Sequence, residues 1–155
     1  VYMINPEVSI WCDALVFERA VRDAKGKPRY DPLTSELWRR ALDIYQGDFL
    51  PDCYMDWALD YRRHLSEVYL DALITMGEIA MARADLVEAL RLFLQALKVD
   101  PLREHIYRQV FLIYAGMGLR HEIVAQWEKM KRLFLGELGV LPSPETVQLV
   151  KNLLA

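Results

Sequence analysis

Long apolar runs are scarce in this sequence. The longest nearly uninterrupted one, Val110 to Leu119, is about ten residues and contains two glycines, well short of the roughly 18 to 20 that a membrane-crossing helix needs. The chain opens with neither a basic stretch leading into an apolar one nor an Arg/Ser-rich leader, so no export signal is read and the cytoplasm is the expected compartment. Cysteine is nearly absent: Cys12 and Cys53 lie far apart and lack the close spacing of a metal knuckle or redox pair, which predicts free thiols. Positive charge is in deficit, with 19 Lys and Arg against 22 Asp and Glu, a net charge of −3 and a pI near 5.6. Because phosphate neutralisation supplies most nonspecific nucleic-acid affinity, this balance argues against the chain gripping DNA by itself. The local basic clusters, Arg19 to Arg29 and Lys129 to Arg132, read as solvated faces.

Catalytic signatures are missing as well. No Gly-rich phosphate loop, nucleophile elbow or Ser-His-Asp order occurs, so no enzyme, catalytic residue or cofactor is expected. His64, His105 and His121 fall on three different helical segments without a carboxylate or cysteine at ligand spacing, and no metal is expected. Asp48, Asp52, Asp56 and Asp60 recur every four residues, but a calcium loop needs oxygen ligands at alternate positions, a central glycine and a terminal glutamate. They read as caps and solvated acids.

What is present is helical periodicity in a chain of 155 residues, 54% hydrophobic and 26% charged, enough for one substantial core. Val1 to Trp11, with β-branched and aromatic residues and an Asn5-Pro6 turn signal, predicts a short extended segment. Asp13 is read as the cap of a first helix with Phe17, Ala20, Val21 and Ala24 on one stripe, stopped by Gly26 and Pro28. A second helix after Pro32 uses Leu37, Ala41, Ile44 and Tyr45, and an irregular stretch follows from Gln46 to Asp56. A long helix runs from Trp57 to about Arg83. Asp85 and Glu88 form a capping box for the next, with Phe93 and Leu97 inward. Asp100-Pro101 is read as cap and first turn of a helix through Ile106, Val110 and Tyr114. Another carries Ile123, Trp127, Met130 and Phe134, and Ser143-Pro144-Glu145 starts a seventh. Trp38, Trp57 and Trp127 are expected in the core.

A shift of 34 residues lays Leu73 on Tyr107, Met76 on Val110, Ala80 on Tyr114, Ala84 on Gly118 and Phe93 on Trp127, which is the tetratricopeptide period. Small residues let two antiparallel helices approach, and a large side chain fills the gap to the next pair. Gly77, Ala89, Phe93, Ala96 and Pro101 fit that pattern. The second unit has Phe111 and Ile123 in place of small residues, so its pair is expected to pack differently. The predicted fold is therefore all-α: stacked antiparallel tetratricopeptide-like helix pairs, about seven helices, and a short extended N-terminal segment. Since about three repeats are usually needed for a stable stack, the flanking helices are expected to cap the two pairs.

Several stretches then stand together: Asp13-x3-Phe17-Glu18, Leu42-Asp43-Ile44-Tyr45-Gln46-Gly47-Asp48-Phe49-Leu50-Pro51, Asp56-Trp57, Leu65-x3-Tyr69, Asp100-Pro101-Leu102-Arg103-Glu104, and Glu137-Leu138-Gly139-Val140 followed by Pro142-Ser143-Pro144-Glu145-Thr146. With them the chain resembles, over almost its whole length, the bacterial transcriptional activator domain, the helical partner of a winged-helix DNA-binding domain in antibiotic-pathway regulators. The resemblance implies a transcription regulator in which residues 1–12 are an extended tail or linker from a missing N-terminal winged-helix domain and residues 13–155 are the helical domain. DNA would then be contacted only through the missing part. Trp11 would pack between the two domains. Protein partners are expected, through self-association or the transcription machinery, and no membrane.

The first helices of the two pairs place Ile74, Glu78 and Met81 opposite His105, Arg108 and Leu112, a mixture of apolar floor and a few charges that reads equally as a candidate partner-binding groove or as a face covered by the protein's own helices. The alternative function is a free-standing tetratricopeptide adaptor. Adaptors that capture a terminal carboxylate carry basic or amide groups at positions matching Ile74, Glu78 and Gln109, none of which is basic here.

Overall fold

The computed structural model describes residues 11–155, so the expected extended segment falls, but for Trp11 and Cys12, outside the described residues. Among the described residues there are seven α-helices: α1 Asp13–Lys25, α2 Pro32–Ile44, α3 Asp56–Ala82, α4 Leu86–Val99, α5 Glu104–Gly116, α6 Arg120–Leu138 and α7 Pro144–Leu154. The chain divides into two compact units, Val1–Ala72 and Leu73–Ala155, with the boundary inside α3.

In the first unit α1 and α2 pack against each other. Phe17, Val21 and Ala24 are buried, as the stripe requires, and Ala14 joins them one turn earlier. Asp13 is the first helical residue and not the cap; Cys12 takes the cap position without a side-chain bond, while Asp13 accepts its hydrogen bond from the adjacent Ala14 N–H at 2.8 Å. Asp31 does cap α2, accepting from the Leu33 N–H at 2.8 Å ahead of Pro32. The buried stripe of α2 is Thr34, Ser35, Trp38 and Ala41, rotated from the expected one. Thr34 is tolerated inside because its hydroxyl donates to the Pro28 carbonyl at 2.8 Å.

Trp38 is core, 3% exposed, but Trp57 is 56% exposed at the start of α3, its indole N–H directed to the Met55 sulfur at 3.3 Å. The buried face of α3 begins at Ala58, which is fully buried, and continues through Leu65, Tyr69 and Ala72, so Trp57 stands one residue off that face.

The second unit is built on the 34-residue repeat. Gly77 of α3 lies so close to the Phe93 ring of α4 that a Cβ there would meet ring carbons at 2.8 to 3.0 Å. Both residues are buried. In the second pair Phe111 replaces the glycine, and the Trp127 ring sits edge-on to it, centroids 6.2 Å apart and planes at 74°. Trp127 is only half-buried, with Lys131 Nζ 5.5 Å from its centroid. This is the different packing expected of the second pair: a ring needs more room than a missing side chain, so the indole is held further out.

The turns repeat too. Ala84 and Gly118, 34 residues apart, both adopt left-handed conformations, φ 59° and φ 73°. After each, the next N–H reaches five residues back, Asp85 to the Ala80 carbonyl at 2.9 Å and Leu119 to the Tyr114 carbonyl at 2.8 Å. This closure satisfies carbonyls that a helix end leaves open. The Asp85 side chain then caps α4 by accepting from the Glu88 N–H at 3.1 Å, as the capping box predicts. Asp100-Pro101 does not open α5, which begins three residues later at Glu104. Asp100 ends α4, and its carboxylate instead holds the turn, accepting from the Leu102 N–H at 3.0 Å and from Arg103 Nε at 2.6 Å. At the far end α7 packs on α5 and α6 and supplies the cover the second pair needs.

Two stability tests follow from this packing. Gly→Ala in an open helix position gains about 1 kcal/mol, whereas overpacking a buried contact costs about 1–3 kcal/mol. Gly136→Ala in α6, whose added Cβ meets nothing within 4 Å, should therefore raise the urea midpoint, and Gly77→Ala should lower it. Ala84→Gly should raise it by relieving a left-handed alanine, worth about 0.5–1 kcal/mol after the added chain entropy of glycine. An unchanged midpoint for Ala84→Gly would mean that the turn is unstrained.

Candidate functional site

The groove residues fall on two stripes of the second unit. Ile74, Glu78 and Met81 are half-buried on the last turns of α3, and on α5 Arg108 is half-buried while His105 and Leu112 are exposed. Arg108 turns to α7: its Nη1 lies 3.1 Å from the Thr146 hydroxyl, 3.5 Å from Glu145 Oε2 and 4.0 Å from Glu104 Oε1. Part of what reads in sequence as groove is thus attachment for the last helix. His105 has its pKa lowered, first by what burial it has and then by the guanidinium groups of Arg103 and Arg108, so it stays neutral more readily than a free histidine.

Glu104 is the centre of that attachment. Its Oε1 accepts from the Ser143 N–H at 2.8 Å and from the Ser143 hydroxyl at 2.5 Å. Ser143 in turn caps α7, its Oγ 3.4 Å from the Thr146 N–H. Burial alone would push the Glu104 carboxyl up, but the hydrogen bonds from Ser143 and Thr146, with the Arg108 charge, outweigh it and hold the pKa below the ordinary value. Two sequence stretches that looked merely distinctive, 100–104 and 142–146, are therefore the two halves of one polar contact. Their pairing is not legible in sequence, because 39 residues separate Glu104 from Ser143.

In the first unit the 45–55 loop is pinned by Arg62, a residue sequence reading passed over. Its Nε donates to the Phe49 carbonyl at 2.8 Å and its Nη2 to the Cys53 carbonyl at 3.1 Å and to the Leu50 carbonyl. The available signal was an arginine one helix turn beyond Ala58, facing a loop rich in carbonyls that no helix could satisfy. Tyr45 stacks on Tyr69 with centroids 4.0 Å apart, and Phe17 lies 5.4 Å from Tyr45. Beside them the Tyr61 hydroxyl donates to Glu18 at 3.0 Å, and His64 Nε2 lies 2.8 Å from the other oxygen of Glu18. Burial, then Glu18 as acceptor and as charge, push the Tyr61 phenol up to about 12. Trp11, the candidate interdomain residue, is 74% exposed. Cys12 and Cys53 are free thiols. No cluster of three or more His, Cys, Asp or Glu able to hold a metal occurs among the described residues, and none of their helices is long and apolar enough to cross a membrane.

Comparison with known proteins places these contacts in context. The family model described as "Bacterial transcriptional activator domain" matches residues 12–154. A curated relative, the regulatory protein AfsR of Streptomyces coelicolor, is 29% identical over 119 residues, which is 77% of this chain and 12% of that protein. The chain thus spans about an eighth of the length of the relative it matches. No solved structure matches at a significant level.

The polar contact at α7 has a pH signature. A carboxyl with a folded-state pKa below its unfolded value contributes stability above the unfolded pKa and loses it as pH falls through the folded one. Glu104→Gln should therefore be less stable than the parent chain at pH 7, and the gap should close as pH drops from the ordinary carboxyl range, near 4.5, through the depressed value. Thermal melts of both proteins across that range check this; a gap that stays constant with pH would show that the carboxylate charge contributes nothing.

Proposed function

From the premise that this chain belongs to the bacterial transcriptional activator domain family, we propose that it is the regulatory module of a transcription activator. In this reading it transmits partner, ligand or dimer state to a DNA-binding domain attached ahead of it, with residues 1–12 as the connecting tail and 13–155 as the helical body. The family match over 12–154 carries the proposal. The printed name of the Streptomyces relative, a regulatory protein, supports it, as does the net charge of −3, which suits a module that leaves phosphate contact to another domain.

The regulatory role is one of binding and not of catalysis. The surface we assign to protein partners is the stripe of Ile74, Glu78 and Met81 on α3 with His105 and Leu112 on α5, bordered by Arg108 where it holds α7, a mixture of apolar and charged groups as in helix-in-groove docking. The partner is another copy of the activator or a component of the transcription machinery, and the setting is the cytoplasm. Trp11, a large indole left mostly in solvent, suits a contact with the attached domain.

Two measurements test this reading. Titrated with promoter DNA at physiological salt, the chain alone should show no sequence-specific binding; tight specific binding would move DNA contact into these helices. In the intact activator, Glu78→Lys and Leu112→Lys should abolish activated transcription while promoter affinity is retained. Full activation by both variants would remove the groove from the mechanism.

A further inference from the structure

The first unit holds a cleft of about 340 Å³ between the start of α1, the end of α2 and the loop that follows it. That volume lies at the small end of the range for small-molecule sites. Its body is aromatic and aliphatic, from Phe17, Tyr45, Phe49 and Leu65. Its charges are of one sign: Asp13 and Asp48 line it, and no Lys, Arg or His does among the described residues. Arg62, the guanidinium bonded to this loop, is engaged by three backbone carbonyls.

Two carboxylates over aromatic faces make a region of negative potential, because ring quadrupoles attract cations as the carboxylates do. The Tyr45 phenol has its pKa raised, first by burial and then by the charge of Asp48. The cleft wall is also fixed in shape. Leu50 is held at φ 45°, a left-handed conformation that costs a leucine about 1–2 kcal/mol, and it persists because Arg62 binds the carbonyls around it. Strain of this kind concentrates where a segment's shape is used for binding.

We propose that this cleft binds a small organic ammonium ion carried on an aryl or alkyl body. The apolar part lies against the partly exposed Tyr45 and Phe49, with the buried Phe17 and Leu65 behind them, and the ammonium group is shared between the carboxylates of Asp13 and Asp48. An anion of the same size meets two like charges there, and a neutral hydrocarbon gains nothing from the two exposed carboxylates. The assignment does not rest on the transcriptional reading, since it concerns what the cleft holds and not what the holding controls.

The test is an amide NMR titration of the full 155-residue chain with phenethylammonium chloride. The expected result is saturable shifts confined to residues 13–17 and 44–50, with a dissociation constant of about 0.1–1 mM for so small a probe. Asp48 is exposed on the loop, so Asp48→Asn and Asp48→Lys should fold, and they should weaken binding by about tenfold and more than tenfold respectively. Phenylpropionate, with a similar ring and opposite charge, should give no shifts. Absence of saturable shifts, equal binding of phenylpropionate, or indifference to Asp48→Lys overturns the proposal. A lysine-containing peptide that displaces the amine with higher affinity also overturns it, by making the occupant a protein side chain.

Discussion

The second unit depends on one close approach, the Phe93 ring lying on Gly77. A ring carbon that would stand 2.8 Å from a Cβ is possible only where there is no Cβ, so this glycine sets how near α4 can come to α3. Once that distance is set, Leu92, Phe93, Ala96 and Leu97 of α4 become buried, and α5 packs against α4. Glycine in a helix interior costs about 1 kcal/mol relative to alanine, and burying a phenylalanine side chain returns about 1.5–3 kcal/mol. The close contact is thus retained on energetic grounds, and the helix former that would suit α3 alone is excluded by its neighbour.

The second pair solves the same problem with opposite residues. Phe111 fills the space itself, and Trp127 meets it edge-on and stays half-exposed. Tyr107 adds a near-perpendicular contact with Phe134, 6.1 Å between centroids, so the interior of this pair is aromatic where the first has a ring on a glycine. α7 packs on α5 and α6, joined on its polar side through Glu104, Ser143, Thr146 and Arg108, and on its apolar side through the buried Val150. The polar contact also serves the start of α7, where Ser143 accepts from the Thr146 N–H that the helix itself leaves without a partner.

Much of the fold was legible in the sequence because amphipathic period and repeat spacing are set by local geometry. The seven helices, the capping box at Asp85 and the equivalence of Ala84 with Gly118 all follow from residues within one or two turns of each other or from simple translation. The misreadings have a common cause. Asp100-Pro101 has the composition of a helix start, yet the carboxylate is drawn to Arg103 and to the Leu102 N–H, and the helix waits until Glu104. Trp57 stands one residue off the buried face of α3, which already begins at Ala58. Of the groove, the positions on α3 and α5 were legible from the repeat, but the engagement of Arg108 by α7 was not, since it joins residues 38 apart through a loop of unpredictable path.

The 45–55 loop shows why a long irregular segment need not be a loose one. A loop without regular hydrogen bonds leaves its carbonyls to water unless a side chain collects them, and a guanidinium is suited to this because its donors are fixed in one plane. Arg62 collects three from Phe49, Leu50 and Cys53, and the aromatic stack of Tyr45 on Tyr69 anchors the loop's first residue. Arg62 stands on α3, so the loop takes its shape from a helix that follows it in the chain and not from its own sequence preferences. That is why a leucine can occupy a left-handed conformation there. The strain at Leu50 is local, while the bonds that oppose it are charge-assisted and worth about 1.5–3 kcal/mol each, so the balance favours one defined loop over an ensemble. A wall fixed in this way keeps its shape before any ligand or partner arrives, and binding at it does not have to supply the ordering entropy that a flexible loop would demand.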